Sequence, residues 1–125
     1  MIESWTIDDG SGVTVSPDAV AQTLRARFGD GRCETWFSSS SGRLLAFLTN
    51  GVRASVSLLE GEGEPGEHAV APGATGSSEG FILANGQHDE YQDEETVPLE
   101  EGLRIVVHVV SEGRWPTDAH SVNDC

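Results

Sequence analysis

Apolar residues crowd positions 44–48 and then alternate with Arg and Ser over 52–58, with Asn50-Gly51 between the two runs. Asn-Gly is the favoured pair for a two-residue hairpin turn, because both central positions need positive φ. The predicted register sets Thr49 opposite Val52, Phe47 opposite Ala54 and Leu45 opposite Val56. Leu45, Phe47, Ala54, Val56 and Leu58 then share one face, under a helix. Arg53, Ser55 and Ser57 share the other with Leu44, Ala46 and Leu48, so that face is only partly apolar. Upstream, Cys33-Glu34-Thr35-Trp36-Phe37 supplies a neighbouring antiparallel strand.

Helical spacing occurs twice. Ser16-Pro17-Asp18 is a helix start, with Ser at the N-cap, Pro at the first helical position and Asp favourable to the dipole. Val20, Leu24 and Phe28 follow at a spacing of four and leave Gln22, Arg25 and Arg27 outside. Gly29 is the expected left-handed cap. Over 98–112, Leu99, Leu103, Val106, Val107 and Val110 fall on one helical face, and Gly113 and Pro116 end the run in the right order. The β-branched stretch 105–110 suits a strand instead, and the helix is the favoured reading. It leaves His108 exposed, opposite the apolar face.

Residues 3–15 read as two short extended pieces around the turn-rich 8–12. Residues 60–80, rich in Gly and Glu, read as a long acidic loop, mobile or functional. A second Asn-Gly hairpin spans 81–91, with an apolar first arm and a polar second arm that reaches the sheet edge. The predicted fold is therefore a single α+β domain over 1–125, an antiparallel β-sheet with two helices packed on it.

Charge changes the picture. The net charge is −14, and between Arg53 and Arg104 there are twelve Asp or Glu and no Lys or Arg. A one-signed field repels nucleic acid and anionic lipid and attracts cationic partners. The acidic residues cluster on 60–67 and 89–95, and solubility alone is the bland explanation. The amino terminus has no basic stretch and apolar run of a signal peptide, and no apolar segment is long enough to span a bilayer. The cytoplasm is the expected location. Cys33 and Cys125 have no metal or framework spacing and read as a buried and a terminal thiol.

Searching for chemistry yields no catalytic set and no cofactor motif. His68, His88, His108 and His120 are scattered without metal spacing. Ser38 to Ser41 lie in a Ser-Gly turn with no adjacent base. The carboxylates sit on Gly/Pro-rich or hairpin segments rather than a rigid cleft with sugar platforms, which disfavours glycoside hydrolysis. Asp89, Asp93 and Glu95 lack the spacing of an EF-hand loop.

Several strings over 44–116 resemble a known family. They are Thr49-Asn50-Gly51 continuing through Leu58, then Asn85-Gly86-Gln87 with Asp89-Glu90-Tyr91, then Val97-Pro98 with Glu100-Glu101, then Arg114-Trp115-Pro116. The chain is similar in these to the small immunity proteins of bacterial polymorphic toxin systems, the family typically paired with deaminase-type toxins. The valine-rich final helix and the Asn123-Asp124-Cys125 end depart from that pattern. The resemblance implies a non-enzymatic inhibitor that binds one cognate toxin, without cofactor or metal. A toxin acting on nucleic acid needs a basic groove, so the expected docking face is Asp89, Glu90, Tyr91, Asp93, Glu94 and Glu95, aided by Glu62, Glu64 and Glu67. No nucleic acid or membrane partner is expected. The alternative is a structural or regulatory module that homodimerises through a sheet edge, its acidic loops serving solubility.

Overall fold

The computed structural model describes residues 3–123 except 9, 11, 62, 64 and 65. The elements are β1 (Trp5–Ile7), α1 (Pro17–Gly29), β2 (Glu34–Ser39), β3 (Leu44–Thr49), β4 (Arg53–Leu59), β5 (Gly66–Ala69), β6 (Ser77–Ile82), β7 (His88–Gln92), a 3₁₀ turn (Asp93–Glu95), β8 (Val97–Pro98), α2 (Leu99–Glu112) and β9 (Ser121–Asn123). The expected α+β architecture is present: one antiparallel sheet in the order β1-β2-β3-β4-β5-β9, with β8 beside β4 and both helices on one face. Strands β6 and β7 form a separate two-stranded sheet.

Hydrophobic alternation puts Leu45, Phe47, Ala54, Val56 and Leu58 in the core under the helices, as expected. The register differs by two residues: Thr49 opposes Ala54, Phe47 opposes Val56 and Leu45 opposes Leu58. Only Gly51 of the turn pair has positive φ, so the two-residue turn expected of Asn-Gly does not form. Instead the Asn50 side-chain oxygen accepts from the Val52 and Arg53 amides at 2.9 and 2.8 Å. The face assignment survives because side chains alternate with a period of two, so an even slip returns each residue to its own side.

In α1, Val20 and Leu24 are buried. The left-handed cap is Gly31 rather than Gly29, which is the last helical residue. The Arg32 amide reaches the Arg27 carbonyl at 2.8 Å and the Gly31 amide reaches Phe28 at 2.9 Å, closing a Schellman motif two residues later than expected. The expected helix is present over Leu99–Glu112, one residue later at its start because Pro98 is extended and pairs in β8, with Leu103, Ile105, Val106, Val109 and Val110 buried and Gly113 left-handed at its end. Its β-branched residues are tolerated because tertiary burial outweighs a modest propensity penalty. His108 is half-buried, not exposed. Gly102 lets α2 lie close to the sheet, since an added Cβ would come 2.7 Å from the Ala54 Cβ.

The acidic segment 60–80 is not one loop. Gly66–Ala69 is a strand between β4 and β9, and the first strand of the hairpin begins at Ser77. Its short, polar sequence hides this, because its pairing partner β9 lies far along the chain. The 81–91 hairpin does not extend the sheet edge. Phe81 is fully buried with Cys33 and Leu48, so the hairpin folds over the sheet face opposite the helices. Cys33 is a free buried thiol, as expected, and Cys125 lies outside the described residues. No helix among the described residues is long and apolar enough to cross a membrane.

Candidate functional site

The β6–β7 hairpin is closed by a three-residue loop. The Gly86 amide reaches the Leu83 carbonyl at 2.9 Å, the Leu83 amide reaches Gln87 at 2.8 Å, and Gly86 takes the positive φ. A register shift between Ser78 and Phe81, at left-handed Gly80, turns the Phe81 ring into the sheet. Along β7 the residues alternate: His88, Glu90 and Gln92 are exposed, whereas Asp89 and Tyr91 are half-buried. Tyr91 stands edge-on to Phe81, with centroids 5.0 Å apart, and its hydroxyl donates to Asp89 Oδ2 at 3.0 Å. Burial pushes the phenol up to about 12, helped by the Asp89 hydrogen bond and by the charges of Asp89 and Glu34.

Three sets of contacts clamp the hairpin to the sheet. At its base, Arg53 donates from Nε to Thr96 Oγ1 at 2.8 Å and from Nη2 to the Asp93 and Thr96 carbonyls at 2.9 and 2.8 Å. Along its side, the Asn50 amide donates to the Glu79 carbonyl at 2.9 Å. Near its tip, Glu34 Oε1 accepts from the Ala84 amide at 2.9 Å.

The residues expected to form one docking face divide into groups. Glu90 and Glu94 are exposed, and Glu90 also accepts from the Ser77 hydroxyl at 2.6 Å. Asp89 and Tyr91 face inward, over the sheet. Asp93 is occupied by Arg53 at 3.6 Å and by the Ser78 hydroxyl at 2.6 Å. Glu95 pairs with His68, and Glu67 accepts from the Ser121 hydroxyl at 2.6 Å. Glu62 and Glu64 lie outside the described residues. Two acidic residues not anticipated from the sequence join the site: Glu79 is exposed on β6, and Glu34 reaches the hairpin tip.

Between the hairpin and the sheet lies an open groove of about 380 Å³. Its floor is Trp36, Ala46, Leu48, Ser55, Ser57 and Leu59, and Leu83 and Tyr91 stand on the hairpin side. Trp36 is 36% exposed, whereas Trp5 is buried in the core. The signal was present in the alternation, because Trp36 pairs with Ala46 and shares their face. Among the described residues, Glu34 is the charged residue lining this groove, and no Lys or Arg lines it.

Elsewhere three arginines form ion pairs within the chain. Arg25 pairs with Glu100, Arg43 with Glu3, and Arg104 with Glu101 and Asp118. Among the described residues, no cation lies within ion-pair distance of Glu79, Glu90 or Glu94, and no group of three His, Cys, Asp or Glu is arranged to hold a metal ion. What the arrangement offers is an acidic ridge beside a trough floored in part by Trp36. In comparisons with known proteins, no family model matches the chain, and no curated protein matches it significantly.

Proposed function

We propose that this chain is a non-enzymatic binding protein, an immunity protein that neutralises a cognate toxin by docking an acidic face into its basic groove. The observation that carries the reading is the hairpin ridge. Glu79, Glu90 and Glu94 are exposed without a described cation, on an element held rigidly at base, side and tip. Such a ridge steers a cationic partner and competes with a polyanionic substrate for the same cations. A deaminase that acts on nucleic acid has that kind of groove. The docking set is accordingly Glu79, Glu90 and Glu94 with Asp89 and Tyr91, and Asp93, Glu95 and Glu67 serve the fold.

The test is binding to the toxin encoded beside this chain, with deamination as the second readout. Replacing Glu90 and Glu94 by Lys should weaken binding at least about tenfold and restore toxin activity, since like charges then oppose. Unchanged affinity and protection, or a neighbouring gene that encodes no toxin, would sink the proposal. Self-association is the second reading, favoured by edge strand β9, where Val122 is 48% exposed. Sedimentation that stays monomeric at high concentration removes it.

A further inference from the structure

The groove offers more than the ridge beside it. Its floor combines an exposed indole with Ala46, Leu48 and Leu59, and among the described residues its hydroxyl groups are Ser55 and Ser57 on the sheet and Tyr91 on the hairpin. Glu34 lines it, and Asp89 sits on the Tyr91 hydroxyl at the hairpin side. At about 380 Å³ it lies at the low end of the range for small-ligand pockets, room for side chains rather than a folded element. Among the described residues its one charged side chain is Glu34, which lies two residues from Trp36 on the same face of β2. That pairing suits a guanidinium group, which stacks on aromatic rings and is held by carboxylates through directed hydrogen bonds.

We infer that the trough between the sheet and the β6–β7 hairpin is the specificity pocket for an arginine-bearing segment of the protein partner, with Trp36 as the stacking platform and Glu34 as the acceptor. The inference rests on the proposed role as a binding protein and deepens it. The exposed ridge attracts the partner, and the groove selects it. The Tyr91 phenol is raised mainly by burial, and the nearby charges of Asp89 and Glu34 add to the shift.

A capped peptide of alternating arginine and leucine is the probe, titrated by NMR at about 0.15 M salt, where diffuse attraction between exposed charges is screened beyond roughly 8 Å. The expected result is saturable shifts of the Ala46, Leu48, Ser55 and Ser57 amides. The isosteric citrulline peptide should bind at least about tenfold more weakly, because it keeps the shape and loses the charge. Glu34→Gln retains an acceptor for the Ala84 amide, and together with Trp36→Leu it should cost roughly tenfold for each change, with Trp36→Phe recovering part of the loss. The ridge variants Glu90→Gln and Glu94→Gln should change affinity by less than about twofold.

Equal loss from the ridge variants overturns the proposal in favour of diffuse attraction. Equal binding of the citrulline peptide overturns it in favour of a purely apolar trough. Silent groove amides overturn it outright, and so does concentration-dependent protection of those amides without peptide, which assigns the groove to a second copy of the chain. The two proposals fail separately. Peptide binding in the groove without toxin neutralisation rejects the immunity role alone. Neutralisation unaffected by Glu34→Gln and Trp36→Leu rejects the groove alone.

Discussion

Arg53 joins the acidic hairpin to the sheet, and replacing it with Met tests that connection. The side chain makes three donated hydrogen bonds, to Thr96 Oγ1 and to the carbonyls of Asp93 and Thr96. Hydrogen bonds from a charged donor contribute about 1.5–3 kcal/mol each, and members of one network do not add fully. Thr96 is completely buried, so its acceptors have no ready access to water once the arginine is gone. The Arg53 and Asp93 side chains are themselves 17% and 21% exposed, which softens the ionic part. A loss of about 3 kcal/mol is expected for Arg53→Met, a large fraction of the roughly 5–15 kcal/mol that holds a typical domain together. Asp93→Asn should cost only about 1 kcal/mol, because the strongest bonds of Arg53 go to backbone carbonyls that remain. Arg53→Lys should fall between, since an ammonium cannot reproduce the planar fork. Urea unfolding with an unchanged m-value measures all three. Equal losses for Arg53→Met and Asp93→Asn, or a loss below about 1 kcal/mol for Arg53→Met, would show that the carbonyl contacts hold nothing, and the reasoning would fail.

Gly102→Ala gains about 1 kcal/mol of helix propensity but brings a Cβ to 2.7 Å from that of Ala54, so overpacking of about 1–3 kcal/mol should outweigh it. Net destabilisation that Ala54→Gly relieves in a double-mutant cycle is the expected outcome, and a more stable single variant contradicts it. The Arg43 hydrogen bond holds the Glu3 carboxyl down to about 2 from an ordinary 4.5. Its contribution is therefore complete above about pH 4.5 and lost as pH falls through about 2, and Glu3→Gln should flatten acid unfolding in that window. Tyr91 is the only tyrosine, so ultraviolet titration reports it alone, with a midpoint expected near 12. Because its folded value is raised from 10, stability is fully present below 10 and falls as pH rises towards 12. A midpoint at 10 would place the phenol in open solvent.

Apolar periodicity alone determined the α+β class, both helices and the buried face of the central hairpin. It could do so because periods of 3.6 and 2 assign residues to faces before any partner is known. Leu45, Phe47, Ala54, Val56 and Leu58 were placed correctly even though the turn around Asn50 set a different register. Folding decided what periodicity cannot carry. The pairing of Gly66–Ala69 with the distant Ser121–Asn123 depends on contacts across half the chain, and neither segment has an apolar pattern of its own. The acidic residues are alike in sequence, and only their neighbours in space separate them. Arg53 claims Asp93 and His68 lies against Glu95, whereas no described cation reaches Glu90 or Glu94, because such contacts are set by distances of a few ångströms and not by position along the chain. The groove follows from the same cause: it exists because Phe81 draws its hairpin over one part of the sheet and leaves Trp36 uncovered beside it.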